Sequence, residues 1–127
     1  MEMIVGIGVD IVEIEKLKLA MMRRGERLRN RAFTPAEVQY CEERANQYQH
    51  YAARFAAKEA VFKAIGSGWR NGVGWHDVEV INELSGKPML RLNGKTLEFA
   101  NALGAKNYWL SLTHTDSYAI AQVVLES

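Results

Sequence analysis

The chain has 127 residues, a formal net charge of +1, and a composition that is 48% hydrophobic and 24% charged. This length suits one domain with a real core, spanning residues 1–127. The near-neutral charge excludes the strong global field that attracts nucleic acids or membrane surfaces. No secretory leader or membrane-spanning stretch is visible, and Cys41 is the single cysteine, which suits a reducing compartment. We therefore expect a cytoplasmic protein.

The first predicted element is a buried strand from Ile4 to Val12, rich in branched residues. Because alternate residues point to opposite faces, Gly6, Gly8 and Asp10 share one face. Glycines on a strand face allow a neighbouring segment or a ligand to approach the backbone closely. Asp10 then either lies beyond this gap as a functional carboxylate or begins a turn.

A short helix is predicted from Glu13 to about Met22, and it leads into the most basic part of the chain. Residues 23–31 contain five arginines. Such a run usually forms a solvated face, but it could also dock an acidic partner with Leu28 as an apolar anchor. Nucleic-acid binding is disfavoured because the run lacks interleaved aromatic residues that stack on bases.

Two further helices are predicted in the first half. Thr34 caps the first of them, Pro35 takes its first position, and Glu37 completes a capping box. This helix is expected to end at about Arg44. The second helix is rich in alanine and runs from about Gln49 to Ile65.

The end of the second helix carries charges in unusual places. On a helical projection its apolar residues form one arc, with Lys58 inside the arc and Glu59 and Lys63 at its edge. A helix that needed only solubility would place these charges opposite the arc. Glu59 and Lys63 form either a surface pair or part of a site. Asp10 and Glu59 could hold Mg²⁺, with both lysines neutralising phosphate.

The second half is predicted to contain hairpins, preceded by a loop with Trp69 and Trp75. The elements are strands Asp77–Glu83 and Pro88–Leu92, a helix Lys95–Leu103, and strands Asn107–Thr113 and Tyr118–Leu125. Helices in the first half and an antiparallel sheet in the second, which the first strand joins, indicate an α+β domain.

Two other chemistries are excluded by spacing. Ser111, His114 and Asp116 suggest a hydrolase triad, but residues 111 and 114 point to opposite faces of one strand. No strand–nucleophile–helix elbow surrounds Ser111 either. The three histidines and the lone cysteine lack the spacing of zinc ligands. Without further evidence, His114 is more simply a structural histidine.

Four motifs together resemble the holo-[acyl-carrier-protein] synthase family, the small bacterial 4′-phosphopantetheinyl transferases. They span Gly6–Glu13, Arg54–Gly66, Gly86–Pro88 and Ser111–Ala121, in the order the family has them. The first two are specific in combination. The resemblance implies transfer of 4′-phosphopantetheine from coenzyme A to a serine of apo-acyl carrier protein, with release of adenosine 3′,5′-bisphosphate, in support of fatty acid biosynthesis.

The resemblance also implies residue roles, by position in the motifs. Asp10 and Glu59 would hold Mg²⁺ and, with Lys63, carry the catalysis. Either Glu59 or a metal-bound water would take the serine proton. The implied cofactor-binding residues are Arg54 and His114 at the 3′-phosphate, Pro88 at the adenine, Lys58 and Lys63, and the backbone of Gly66 and Ser67.

Finally, the resemblance implies a homotrimer with each active site at a subunit boundary, and an acidic acyl carrier protein as partner. Carrier docking is expected on the first helix through Lys16, Arg24, Arg27 and Leu28. The other arginines of the basic run are expected to be solvated or internally paired. Trp69 and Trp75 are less typical of the family and would change the edge of the cofactor pocket. The competing hypothesis is a non-catalytic adaptor that binds carrier protein but not coenzyme A.

Overall fold

The computed structural model describes residues 2–68 and 72–127, so Trp69 lies outside the described residues. The elements are β1 (Ile4–Glu13), α1 (Ile14–Arg24), α2 (Glu26–Ala32), α3 (Pro35–Glu42), α4 (Gln47–Ala64), a 3₁₀ turn (Trp75–Asp77), β2 (Val78–Asn82), β3 (Pro88–Leu92), α5 (Gly94–Ala102), β4 (Asn107–His114) and β5 (Tyr118–Glu126). Within the described residues, no helix is long and apolar enough to cross a membrane. The predicted α+β class is confirmed.

The strands of the described residues form two antiparallel sheets. One has the order β1-β5-β4, and the other is the hairpin of β2 and β3. In the first sheet Asp10 of β1 lies opposite Ala121 of β5, and His114 of β4 lies opposite Ala119. The first strand therefore joins the last hairpin, as expected. Because β5 pairs with β1 on one side and with β4 on the other, this sheet brings residues from both ends of the chain together.

The basic run forms a separate helix, α2, which sequence analysis missed. Gly25 separates α1 from α2 with a φ of 62°, and its N–H donates to the carbonyl oxygen of Met21 at 2.7 Å. Glycine tolerates this conformation because it has no Cβ. A seven-residue helix is unstable alone. Tertiary contacts stabilise α2, among them the pair of Arg29 and Glu42 at 2.8 Å.

Helix α4 is the centre of the core. It packs between the three-stranded sheet and the β2–β3 hairpin, and most of its residues are buried. Small alanines on several sides let the helix lie close to its neighbours. Its N-terminal half also packs on α1 and α3, where Cys41 is buried and burial raises the pKa of the thiol to about 12.

The glycines of β1 give α4 room to pack against the strand. A Cβ on Gly8 would overlap the carbonyl oxygen of Ala60, and a Cβ on Gly6 would overlap that of Ala64. The sequence left open whether a segment or a ligand used this gap. The structure shows that it is filled by the α4 backbone, which places the far end of β1, with Asp10, beside the end of α4.

The opposite face of β1 is left exposed by the described part of the chain, which corrects the prediction of a buried strand. Ile7, Val9 and Ile11 are 58%, 54% and 58% exposed. Trp109 on β4 is 50% exposed. The branched residues of this strand predicted burial, but α4 covers only the face that carries Gly6 and Gly8. An open apolar sheet face remains.

Candidate functional site

Asp10 and Glu59 line one cleft of about 400 Å³ between β1, α1 and α4. Asp10 enters from the strand and Glu59 from the helix. Lys16 and Phe55 are also part of the lining. Both carboxylates are half-buried rather than solvated. The structure therefore brings together the two acidic residues that sequence analysis selected, although they are far apart in the chain.

Lys63 points at the same carboxylate. Its Nζ donates to Asp10 Oδ1 at 2.8 Å and to the carbonyl oxygen of Val9 at 3.0 Å. Lys63 lies one turn after Glu59 on α4, so both side chains project towards β1. Its side chain is 53% exposed, so its charge remains accessible to an anion that enters the cleft.

Lys58 lies elsewhere, and its position does not fit the expected cofactor contact. Its side chain and that of Glu37 are both fully buried, and Lys58 Nζ pairs with Glu37 Oε1 at 2.7 Å. Lys58 also donates to the carbonyl oxygens of Trp75 at 3.0 Å and Val78 at 2.5 Å. We therefore assign Lys58 to the core, where it connects α4 with α3, β2 and the 3₁₀ turn.

Burial and ion pairing act in opposite directions on Lys58. Burial lowers the pKa of its ammonium group, while Glu37 raises that pKa through its charge and hydrogen bond. The carboxylate of Glu37 also accepts from the N–H groups of Thr34 and Val80, each at 2.9 Å. All the charges of this pair are thus hydrogen-bonded, which is the condition for burying an ion pair.

A second cavity, of about 210 Å³, contains the residues predicted for the nucleotide end. Arg54, Pro88 and His114 line it together, from α4, β3 and β4. Asn82 and Gly86 of the β2–β3 hairpin complete one side. The three predicted cofactor contacts therefore meet in one place. We call this space the Arg54 cavity.

Arg54 is held rigidly at the wall of this cavity. It is only 2% exposed, and its Nη2 donates to Asn82 Oδ1 at 2.7 Å. Its guanidinium lies 3.9 Å from the centre of the Tyr40 ring. Asn82 in turn donates to the carbonyl oxygen of Gly86 at 3.0 Å. A cation is thus fixed in place before any ligand enters.

The cleft and the Arg54 cavity use different sides of α4. Phe55, Glu59 and Lys63 form one row with four-residue spacing, facing β1. Arg54 belongs to another row. It lies five positions before Glu59, which places the two side chains roughly 140° apart around the helix axis. Within one chain the cleft and the cavity are therefore separate, and their described linings have no residue in common.

The backbone after α4 is open to approach. Gly66 has a φ of 77° and is exposed, and a Cβ there would meet nothing within 4 Å. Ser67 is buried, with its hydroxyl donating to the carbonyl oxygen of Gly68 at 3.0 Å. Trp75, expected at the pocket edge, instead packs on the core rings of Phe55 and Phe62, at centroid distances of 4.8 and 5.5 Å.

Three of the predicted docking residues line a shallow concavity of about 390 Å³. They are Arg24, Arg27 and Leu28, and Arg31 joins them. Arg31 had been predicted to be solvated or internally paired. Arg31 lies four residues after Arg27 on helix α2, so the two side chains share one face of that helix. This spacing was the sequence signal that would have added Arg31 to the predicted docking residues.

The fourth docking residue, Lys16, connects this concavity with the cleft. Lys16 and Ala20 line the cleft that contains Asp10 and Glu59. Arg24 follows Ala20 after one more turn of α1, so positions 16, 20 and 24 form one strip along the helix. This strip is about 12 Å long at 1.5 Å per residue. The basic concavity and the acidic cleft are thus adjacent parts of one surface.

The cleft matches the ligand preference of a hard cation. Mg²⁺ typically takes one or two protein carboxylates and completes its shell with phosphate oxygens and water. Among the described residues, no cluster of three or more histidines, cysteines or acids could hold a metal ion without such help. A site with Asp10 and Glu59 as its carboxylates therefore fits a magnesium ion that arrives with a phosphate ligand.

Comparisons with known proteins agree on the family. The family model described as "4′-phosphopantetheinyl transferase superfamily" matches residues 6–123. A holo-[acyl-carrier-protein] synthase of Solibacter usitatus is 50% identical over 125 residues, covering 98% of this chain and 100% of that protein. One of Geobacter sulfurreducens is 50% identical over 124 residues, covering 98% of each.

Solved structures agree as well. The crystal structure of the Neisseria meningitidis holo-[acyl-carrier-protein] synthase superposes with a TM-score of 0.88 at 31% identity, covering 98% of this chain and 100% of that one. The Bacillus anthracis synthase, in complex with CoA (3′,5′-ADP), gives 0.80 at 35% identity, covering 98% of each. The chain belongs to the 4′-phosphopantetheinyl transferase superfamily, as its sequence motifs indicated.

Proposed function

We propose that this protein is a holo-[acyl-carrier-protein] synthase. It transfers the 4′-phosphopantetheine group of coenzyme A to a serine of apo-acyl carrier protein and releases adenosine 3′,5′-bisphosphate. The observation that carries this proposal is the strip along α1 from the basic concavity at Arg24 to the cleft of Asp10 and Glu59. An acidic protein bound on the concavity would present a serine to the cleft.

The reaction joins the serine oxygen to the β-phosphorus of coenzyme A and breaks the bond between that phosphorus and the oxygen bridging to the α-phosphate. The bridging oxygen leaves with the electron pair on adenosine 3′,5′-bisphosphate. Lys63, at 2.8 Å from Asp10, is placed to hold the phosphates at the cleft. The serine proton passes to Glu59 or to water.

Asp10 and Glu59 would hold Mg²⁺ in the cleft. When bound, the ion stabilises the charge that develops on the phosphate oxygens during transfer. Lys63 contributes a second positive charge on the same side of α4, and its contact with Asp10 keeps that carboxylate oriented. The residues of this chain thus supply orientation and charge, which is most of what phosphoryl transfer requires.

The Arg54 cavity would bind the nucleotide end of coenzyme A. Its fixed guanidinium suits the 3′-phosphate, and His114 lies in the same lining. Pro88 offers an apolar surface to the adenine, and the open backbone at Gly66 and Ser67 would contact the ligand between the two ends. Lys58 is left out of this set because it is fully buried in its pair with Glu37.

The direct test is transfer. The protein is incubated with coenzyme A, Mg²⁺ and an apo-acyl carrier protein, and the carrier is examined by mass spectrometry. We expect the phosphopantetheine mass increment on one serine, dependent on the divalent ion. An adaptor without catalysis would bind the carrier but not coenzyme A. A calorimetric titration with coenzyme A distinguishes the two, because the adaptor would give no heat of binding. Absence of the increment at every Mg²⁺ concentration would refute the proposal.

Docking of the carrier is tested by charge reversal. Arg27→Glu is expected to raise the KM for carrier protein by about tenfold while leaving kcat nearly unchanged, because it adds repulsion at the surface and not at the cleft. The effect should shrink at high salt, which screens exposed charges. Lys106→Glu, at the opposite end of the sheet, makes the same charge change as a control. Equal effects of both variants would contradict a specific docking surface.

We further propose that the chain forms a homotrimer with its active sites at the subunit boundaries. Two observations support it: the open apolar face of Ile7, Val9 and Ile11, and the separation of the cleft from the Arg54 cavity on different sides of α4. One coenzyme A could then contact the cleft of one subunit and the Arg54 cavity of its neighbour.

The trimer is tested by light scattering. We expect a mass three times that of the 14.4 kDa chain. Val9→Glu should dissociate it, because the substitution would bury an unpaired carboxylate in the interface. Leu103→Glu, on an exposed position beyond α5, serves as control. A monomeric wild type, or a trimer that tolerates Val9→Glu, would be evidence against this interface.

The cytoplasm is the proposed location, supported by the single buried cysteine, which suits a reducing compartment. Activation of carrier protein there would support fatty acid biosynthesis. Nucleic-acid binding stays disfavoured, because residues 23–31 lack aromatic side chains that stack on bases and Arg29 is paired with Glu42 and Glu26.

A further inference from the structure

The Arg54 cavity contains a histidine, His50, to which neither the motifs nor the fold had assigned a role. His50 lies on α4 four residues before Arg54, so both side chains project to the same side of the helix. His50, Arg54 and His114 all line the cavity. Its described lining residues include no aspartate or glutamate. Any anion that enters therefore meets only neutral, basic or titratable groups.

The guanidinium at the cavity wall is not fully hydrogen-bonded within the chain. Arg54 is 2% exposed, and among the described residues its Nε has no hydrogen-bond partner. Its Nη2 is already used by Asn82. A buried guanidinium whose N–H groups are not all paired is only partly compensated for its lost hydration. A negative charge in the cavity beside Arg54 would add to that compensation, so the cavity favours an anionic ligand.

Basic side chains from three parts of the chain act on His50. Arg54 is on the same helix, Arg44 follows α3, and His114 comes from β4. The ring of Tyr40 connects them: its centroid lies 5.6 Å from that of His50, edge to face, and it stacks with Arg44 at 3.3 Å. Burial, followed by the charges of Arg54, Arg44 and His114, lowers the pKa of His50. Without a ligand the ring is therefore neutral at neutral pH.

We propose that His50 is a ligand of the phosphate monoester in the Arg54 cavity and binds a proton from solvent when that phosphate enters. The inference rests on the proposed function, since the ligand would be the 3′-phosphate of coenzyme A. A phosphate dianion reverses the sign of the local field. The imidazolium then donates a charge-assisted hydrogen bond to a phosphate oxygen, and the phosphate keeps its own charge.

The sign of the pH dependence follows from this proton. The pKa of His50 is lowered in the free protein and raised when the dianion is bound. Affinity contributed by His50 is therefore fully present at pH values below the free pKa and is lost as the pH rises through the bound pKa. At pH values between the free and the bound pKa, ligand binding is accompanied by proton uptake. A ligand without the 3′-phosphate should lack this linkage.

Proton uptake is measured by calorimetric titration with adenosine 3′,5′-bisphosphate, in buffers of different ionisation enthalpy at about pH 7. We expect net uptake with the wild type and clearly less with His50→Gln, which keeps a hydrogen-bonding side chain but cannot become charged. The variant should bind about tenfold more weakly near pH 6 and approach the wild-type affinity near pH 8.5. His76→Gln, outside the cavity, should behave as wild type.

Two comparisons separate the possible outcomes. Adenosine 5′-phosphate, which lacks the 3′-phosphate, should show little proton uptake with the wild type or any variant. Uptake by the wild type equal to that with the bisphosphate would overturn the inference. Uptake that persists in His50→Gln and disappears in His114→Gln would overturn the inference. Binding of the bisphosphate with unchanged proton uptake in His50→Gln also overturns it but leaves the proposed function intact. No binding of the bisphosphate or coenzyme A by wild type would instead remove the proposed function.

Discussion

Replacement of Glu59 by glutamine is expected to reduce phosphopantetheine transfer by about 10³-fold or more. The substitution removes one of the two carboxylates in the cleft while preserving side-chain size. It should therefore weaken the proposed Mg²⁺ site, and it removes one candidate acceptor for the serine proton. Since Glu59 is half-buried at the wall of a cleft and not in the core, the fold should survive.

The measurement is the initial rate of carrier modification, together with circular dichroism and thermal unfolding of the variant. Glu98→Gln on α5 is the matched control, because Glu98 is exposed and pairs only loosely with Lys95 at 3.7 Å. It should retain full activity. If Glu59→Gln is folded and transfers phosphopantetheine at a rate near the wild type, our assignment of the cleft is wrong.

The second large effect is expected on stability, at the buried pair of Glu37 and Lys58. Glu37→Gln should lower the free energy of unfolding by about 3–5 kcal/mol, because it leaves the Lys58 charge buried without its partner. Two backbone N–H groups, of Thr34 and Val80, also depend on the carboxylate of Glu37. The amide of glutamine would turn a donor towards at least one of these donors.

Urea denaturation measures this loss, with Glu83→Gln as an exposed control. The double variant Glu37→Gln/Lys58→Met tests the cause. If the unpaired charge causes most of the loss, the double variant should lose less free energy of unfolding than the sum of the two single losses. The reason is that neither charge remains in the double variant. Strict additivity of the two single effects would show that the residues do not interact through their charges.

Local features of the fold were predicted well from sequence. The capping box at Thr34 and Glu37 is present, with Pro35 at the first helical position. Strand β3 has the predicted bounds, and most other elements differ by one to three residues. These features depend on residues a few positions apart, so their chemistry can be read directly from the chain. Helix α2 was missed because its stability comes from contacts with α3, and its seven residues alone do not favour a helix.

Roles that depend on distant partners were less predictable. The position of Lys58 inside the apolar arc was recognised as unusual, but its partner, Glu37, is 21 positions away on another helix. A helical projection cannot show whether such a lysine faces solvent, a ligand or a buried carboxylate. His50 was given no role for the same reason, since only the cavity that it lines brings it next to Arg54 and His114.

By itself, the sequence determined the α+β class and the family, through motifs whose residues are close together in the chain, and it selected Asp10 and Glu59 as candidate metal ligands. Only the tertiary structure decided which charges are buried, which face of β1 remains open, and that the cleft and the Arg54 cavity lie on different sides of α4. The physical reason is packing. Burial and ion pairing depend on which surfaces meet across the chain, and neighbouring residues do not specify this.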